Sequence, residues 1–219
     1  MIDKLIAQDF NEEVVKSTIM VTKDTFVDTF GGNLDSWLTK KLVDTYIEIW
    51  KEDPWNENWK SKDVQMLLND LLNTRDFVLL LQLGTASYND AQNQIASFTW
   101  AYYVNKNDLL KIAGFDSDTI YGESGRGFMT ALGNIFNNDP KVAYLAELGT
   151  KREFRHNYNA WNLSVGLLSI LQKRGYNKVV LRTDVRAVGA KRLYKKLGFV
   201  DLGAKDAVHQ NRTYWMLEI

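Results

Sequence analysis

The sequence contains no cysteine and, among its 219 residues, only two histidines. The absence of cysteine excludes disulfide bonds, thiolate metal ligands and a cysteine nucleophile. The two histidines, His156 and His209, lie in polar stretches that are typical of loops, and neither belongs to a recognisable zinc or Ser-His-Asp motif. We therefore interpret both as surface residues and expect no metal site.

An excess of charge of one sign is also missing, because 27 lysines and arginines balance 27 aspartates and glutamates. Without a net field, binding to nucleic acid or to a membrane surface is disfavoured. The longest apolar run, Phe77 to Leu81, is too short to span a bilayer. The segment from Met1 to Phe10 carries acids where a signal peptide needs a basic start and an apolar run. We expect a cytoplasmic protein with neither nucleic acid nor a membrane as a partner.

What is present is a globular composition, with 45% hydrophobic and 25% charged residues. The sequence shows no repeats or flexible linkers, and its length suits one large domain over residues 1–219. Hydrophobic periodicity in the first half predicts helices over Leu38 to Trp50, ended by Pro54, and over Ser61 to Leu72, capped by Ser61 or Asp63. It also predicts three strands, Ser17 to Lys23, Phe77 to Leu83 and Gln94 to Val104, with a hairpin loop from Gly84 to Asn93.

Aromatic residues are frequent in this half. Phe98, Trp100, Tyr102 and Tyr103 could form a cage for an aromatic or cationic ligand. Alternating aromatics in a strand are more typical of packing, which is the interpretation we favour. We interpret a further set in the same way, as packing in the core or at helix ends: Trp37, Trp50, Trp55 and Trp59.

The segment from Asn105 to Lys141 is unusual. It predicts a short helix near Leu109 and a second helix near Met129, with a glycine-rich centre from Gly122 to Gly127. That centre superficially resembles a phosphate-binding loop, but it lacks the Lys-Ser/Thr ending and a preceding strand. We therefore predict a mobile loop or lid.

The last third alternates regularly between strands and helices, which implies at least one parallel pair of strands with crossover helices. The predicted strands are Val142 to Leu148, Lys178 to Thr183, Phe199 to Leu202 and Thr213 to Ile219. The predicted helices are Ala160 to Lys173 and Ala187 to Leu197.

Two segments of this third resemble signatures of the GNAT acyltransferase superfamily. Leu145 to Thr150, with the loop to Arg155 and the helix that ends at Gly175, resembles its acyl-CoA-binding segment. Ala190 to Phe199 resembles the run A-x-x-L-Y-x-K-x-G-F, and Tyr214 to Glu218 resembles the family's final strand.

The resemblance implies an α/β fold: a twisted, mostly antiparallel sheet with helices on both faces and one parallel pair at the acyl-CoA site. Within the single domain it implies a substrate-side half over residues 1–104, an insertion or lid over 105–141, and an acyl-CoA-binding half over 142–219.

The resemblance also implies a cofactor site. The unpaired N–H groups of a helix N-terminus suit a pyrophosphate. Backbone groups of Leu148 and Thr150 would bind the pantetheine arm. The pyrophosphate would lie against Arg155, His156, Asn157, Asn159 and Ala160.

The chain departs from the family pattern at two positions. The pattern R/Q-x-x-G-x-G/A aligns with Arg155 to Ala160, and Tyr158 replaces its central glycine, which costs room or backbone conformation. Ala187 stands where the family often has asparagine.

Tyr194 is the candidate general acid for the departing thiolate, by its place in the L-Y-x-K-x-G-F run. The alternative is a packing tyrosine on an amphipathic helix. Glu147 is the candidate to hold the amine or to relay its proton through water. The alternative is a solvent-facing strand glutamate.

The resemblance thus implies direct transfer of acetyl from acetyl-CoA to a primary amine of a small molecule or peptide, without a covalent enzyme intermediate. Two alternatives stay open: a GNAT-shaped binding or regulatory domain with weak or lost acyl-CoA affinity, and an acyltransferase with a bulkier donor. A homodimer is expected from base rates alone.

Overall fold

The computed structural model describes residues 18–22, 25, 36–84, 94–116, 118–138 and 140–219. The helices are α1 Trp37–Trp50, α2 Ser61–Leu72, α3 Lys106–Ile112, α4 Glu123–Ile135, α5 Asn159–Lys173 and α6 Val188–Leu197. The strands are β1 Thr18–Thr22, β2 Val78–Gly84, β3 Gln94–Tyr103, β4 Val142–Thr150, β5 Lys178–Asp184, β6 Val200–Lys205 and β7 Arg212–Glu218. The segment from Met1 to Phe10 and residues 85–93 of the predicted hairpin loop lie outside the described residues.

The strands form one sheet in the order β1-β2-β3-β4-β5-β7-β6. β4 and β5 are parallel, with Val142–Leu145 in register with Lys178–Leu181, and α5 is the crossover helix between them. The pairs β1–β2, β2–β3, β5–β7 and β6–β7 are antiparallel. The predicted mixed α/β fold, with a mostly antiparallel sheet and one parallel pair, is confirmed.

Helices α1 and α2 begin differently. The hydroxyl of Ser36 accepts a hydrogen bond from the backbone N–H of Thr39 at 3.2 Å and caps α1. The N-cap of α2 is Lys60, which makes no side-chain capping bond. The predicted cap at Ser61 or Asp63 is therefore wrong, because the helix already includes both residues.

The segment between β3 and β4 consists largely of α3 and α4. The predicted glycine-rich loop is wrong, because Gly122 is the N-cap of α4 and the residues after it are helical. Gly125 is buried, and a Cβ atom there would overlap the carbonyl oxygen of Ile120. This glycine therefore permits close packing. A lid function of the segment stays a prediction.

The chain forms two compact units. The first comprises Met1–Tyr102 and Glu147–Ser169, and the second comprises Tyr103–Ala146 and Ile170–Ile219. None of the described helices has the length and apolarity needed to span a bilayer.

Polar contacts attach α3 and α4 to β5 within the second unit. The ammonium of Lys178 on β5 donates to the carbonyl of Asn134, in the last turn of α4, at 2.8 Å. The guanidinium of Arg182 donates to the carbonyl of Ile112, at the end of α3, at 2.9 Å, and it pairs with the buried carboxylate of Asp206. Each cation thus binds a carbonyl that the end of a helix leaves unpaired.

Candidate active site

The C-terminal half of β4 is held by polar side chains of β3. The Thr99 hydroxyl donates to the Glu147 carbonyl at 2.8 Å, and the Ser97 hydroxyl donates to the Gly149 carbonyl at 2.6 Å. Ser97 also lies 2.8 Å from the Thr150 hydroxyl. Ser97 and Thr99 were not among the residues predicted for the site. Their signal was two small polar residues at alternate positions of an otherwise apolar strand, since buried polar groups need partners.

A close approach of α1 also shapes this end of β4. A Cβ atom at Gly149 would lie 2.9 Å from the Phe98 ring and 3.1 Å from the Ile49 side chain. A larger residue at this position would therefore displace the Phe98 ring or the Ile49 side chain. Packing against Phe98 and Ile49 therefore explains why residue 149 is a glycine.

The Glu147 side chain is half-buried and faces an aromatic cluster on α1 and β3. The hydroxyl of Tyr46 donates to its Oε1 at 3.3 Å. The Tyr46 ring stacks on Phe98 and Trp100, at centroid distances of 5.8 and 5.7 Å. Phe98 and Trp100 are fully buried, as the packing interpretation predicts, so they cannot line an open cage.

The loop after β4 folds back on itself. It contains a short 3-10 helix, Arg152–Phe154, whose Phe154 is buried. The amide of Asn159 donates to the carbonyl of Phe154 at 3.1 Å and closes the loop at the start of α5.

Arg155 spans the start of this loop. Its Nε donates to the carbonyl of Thr150 at 3.1 Å, and its terminal nitrogen lies 2.8 Å from the carboxylate of Glu52. The residue predicted to face an anionic cofactor therefore has a carboxylate partner in the structure, and it ties the end of β4 to the segment after α1.

Two residues of the loop have left-handed backbone conformations. His156 has φ 68° and Tyr158 has φ 59°. Tyr158 thus occupies the glycine position of the family pattern in the conformation that favours glycine, and its side chain is 65% exposed. Left-handed residues within a turn point successive N–H groups toward one concavity, which is an anion-binding arrangement.

The N–H groups of this loop are available to a ligand. Within the described part of the chain, no acceptor is bonded to the backbone N–H groups of residues 156–160. These residues precede and open the 15-residue helix α5, whose N-terminus carries partial positive charge. The donor set therefore fits a pyrophosphate, as an anion bound by backbone N–H groups at a helix start.

Tyr194 lies on α6 in the second unit. Its side chain is 6% exposed, and its ring centroid lies 5.7 Å from that of Phe199. The N-cap of α6 is Ala187, which offers no side-chain capping bond. The burial is compatible with the packing alternative, and the acid role stays a prediction.

The remaining predicted site residues all belong to the first unit. Leu148 and Thr150 are half-buried at the end of β4, His156 and Asn157 are exposed, and Ala160 is half-buried in the first turn of α5. The structure thus collects Glu147 and the predicted cofactor residues along one strand, loop and helix start.

This arrangement of seven strands, a parallel β4–β5 pair and the crossover helix α5 between them is the fold of the GNAT N-acetyltransferases. The sequence itself matches no protein-family model and has no significant match among curated proteins.

Solved N-acetyltransferase structures share the fold at low sequence identity. PaiA N-acetyltransferase from Thermoplasma acidophilum, in complex with coenzyme A, is 12% identical, with a TM-score of 0.53 over 93% of this chain and 99% of that chain. An agmatine N-acetyltransferase is 12% identical, with a TM-score of 0.55 over 93% and 100%. The NatC complex bound to Gag peptide and CoA is 10% identical, with a TM-score of 0.52 over 93% and 99%. At these identities the similarity establishes the fold.

Proposed function

We propose that this protein is an acyl-CoA-dependent N-acetyltransferase that transfers acetyl from acetyl-CoA directly to a primary amine. The observation that carries the proposal is the segment of residues 156–160, with left-handed backbone at His156 and Tyr158 and with N–H groups without an acceptor at the start of α5. In the GNAT fold this strand, loop and helix start are where the resemblance implies coenzyme A.

The chain's own residues have separable tasks in this proposal. Acetyl-CoA supplies the thioester, whose C–S bond breaks as the C–N bond to the amine forms. Glu147 takes up the proton that the amine loses, directly or through water. Tyr194 donates a proton to the departing thiolate sulfur. Leu148 and Thr150 orient the pantetheine arm through backbone groups, and the N–H groups of residues 156–160 bind the pyrophosphate.

The acceptor is proposed as a class only. Among the solved structures with this fold, one is bound to a Gag peptide and another is named for agmatine. A small-molecule amine and a peptide amine are therefore both acceptor candidates. Acetyl transfer to agmatine and to a short unmodified peptide, measured by mass spectrometry, separates the two classes.

Ligand-dependent unfolding tests the cofactor assignment. A ligand that binds only the folded state at 100 times its Kd stabilises it by about 2.7 kcal/mol. For a chain of this size we expect coenzyme A to raise Tm by about 5–10 °C. Pantetheine, which lacks the pyrophosphate, should produce a smaller rise.

A charge variant locates the pyrophosphate. Ala160→Asp places a carboxylate in the first turn of α5, where it interacts favourably with the helix dipole but repels the pyrophosphate of coenzyme A. We expect this variant to fold with unchanged or higher Tm and to lose most of the coenzyme A response. Ala160→Ser is the matched control and should keep the response.

A second candidate function has its own support in the same loop. The tyrosine side chain at the glycine position of the family pattern and the Arg155–Glu52 ion pair favour a GNAT-shaped binding domain that has lost acyl-CoA affinity. An unchanged Tm at millimolar coenzyme A would overturn the enzyme proposal and leave this one.

A donor panel of acetyl, succinyl and longer acyl-CoAs tests the acyl preference.

A further inference from the structure

We propose that Tyr46 is a positioning residue for Glu147, whose hydroxyl holds the carboxylate in the orientation that receives the amine. The inference rests on the proposed acetyl transfer and deepens it by assigning a role to a residue of α1. The two residues lie 101 positions apart in the chain and meet only through the fold.

The position of the Tyr46 hydroxyl is determined by packing. Its side chain is 1% exposed and is enclosed by four rings. It stacks on Phe98 and Trp100, and it meets Trp50 and Trp59 edge-on at centroid distances of 5.8 and 5.5 Å. A phenol held in this way projects its hydroxyl to one place, because the ring cannot change rotamer without displacing its neighbours.

The backbone of Glu147 is determined as well. Thr99 binds its carbonyl, and Gly149 two residues later allows α1 to approach β4 closely. Glu147 is half-buried as a residue, and its carboxylate accepts the hydrogen bond of the tyrosine hydroxyl.

The chemistry of the Tyr46–Glu147 pair is suited to a role of Glu147 as a base. A phenol is neutral at physiological pH and donates to a carboxylate, and hydrogen bonds to charged groups are about twice as strong as neutral ones. The 3.3 Å separation is long for an O–H···O bond, as is common for catalytic hydrogen bonds in ligand-free enzymes, which tighten in the substrate complex.

A double-mutant cycle separates positioning from core packing. Tyr46→Phe keeps the ring and removes the hydroxyl, and Glu147→Gln removes the base. We measure kcat, KM for acetyl-CoA and Tm for wild type, both single variants and the double variant, with agmatine and a short peptide as acceptors. We expect Tyr46→Phe to lower kcat about tenfold, a modest share of the 100-fold or more that loss of a general base costs. KM for acetyl-CoA should be nearly unchanged.

The decisive comparison is the effect of Tyr46→Phe in the Glu147→Gln background. A residue that acts only through Glu147 has no further effect on kcat once the carboxylate is gone. An equal loss in both backgrounds overturns the inference, as does full kcat in either single variant. A purely structural role would lower Tm in both backgrounds and leave kcat of the folded enzyme unchanged.

The control is Tyr176→Phe, which removes the hydroxyl of a buried tyrosine in the second unit and should leave kcat unchanged. If the wild-type protein neither binds acetyl-CoA nor acetylates any amine, both the proposed function and the inference are wrong. If the wild-type protein acetylates an amine and the effects of the two substitutions on kcat are additive, only the inference is wrong.

Discussion

Replacing Tyr158 with glycine probes the backbone conformation of the loop between β4 and α5 directly. Tyr158 has φ 59°, a conformation that costs a residue with a side chain about 1–2 kcal/mol. Glycine removes this cost but loses about 0.5–1 kcal/mol through its larger unfolded-state entropy. Because the tyrosine side chain is 65% exposed, little packing is lost. We expect Tyr158→Gly to stabilise the protein by about 0.5–1 kcal/mol, a rise in Tm of about 1–4 °C for a chain of this size.

Thermal unfolding followed by circular dichroism measures this effect, with Tyr158→Ala as the control. Alanine also removes the ring but keeps the left-handed cost, so its Tm should not exceed that of wild type. A coenzyme A titration of both variants gives the functional consequence. Glycine should leave affinity unchanged or tighten it, because it allows closer approach of the backbone to a phosphate.

Two results would refute this reasoning. If Tyr158→Gly melts below Tyr158→Ala, the left-handed conformation is not what limits stability at this position. If both variants lose coenzyme A affinity to the same extent, the tyrosine ring is itself a ligand contact and the loop binds differently from the glycine-containing pattern.

Three further predictions concern the second unit. Tyr194→Phe should lower kcat about 100-fold or more with KM for acetyl-CoA nearly unchanged, and full activity measured by steady-state kinetics would leave Tyr194 as a packing residue. Gly125→Ala should destabilise the protein by about 1–3 kcal/mol, because the new methyl group overlaps the Ile120 carbonyl. Gly127 is exposed and has open space around its Cβ position, so Gly127→Ala should stabilise the protein by up to about 1 kcal/mol. Equal Tm values for the two variants would contradict the packing argument. The Arg186 side chain bonded to Asp184 holds the pKa of that carboxyl below its usual range, so its stabilisation is present above about pH 4 and is lost as pH falls through the lower folded-state value. The Tm difference between wild type and Asp184→Asn should therefore shrink on acidification below pH 4, and a difference that stays constant in a pH series would contradict it.

The elements whose signals are local could be predicted from the sequence. The apolar spacing from Leu38 to Trp50 predicted α1 to within one residue, because the buried face of a helix repeats every 3.6 residues whatever it packs against. The run from Ala190 to Phe199 placed α6 and its end directly before Gly198. Together with the alternation of strands and helices, these signals implied the mixed sheet with its parallel pair.

The conformation of the glycine-rich segment could not be predicted from its composition. The glycines from Gly122 to Gly127 are the residues that usually mark a loop, yet they begin a helix. Gly125 lets the first turn of that helix lie close to the carbonyl of Ile120, in the turn that precedes it. A glycine selected for flexibility and one selected for close approach look the same in a sequence. Only the position of the neighbouring backbone distinguishes them.

The candidate site, too, could be predicted only in part from the sequence. The sequence placed Glu147 at the end of a strand and Tyr158 at a glycine position, because both follow from the motif around them. The partners of the site come from residues far away in the chain: Tyr46 for Glu147, Glu52 for Arg155, and Ser97 for the carbonyl of Gly149. A hydrogen bond between distant residues depends on register and on the approach of helix to sheet, and these are set by the packing of the whole first unit.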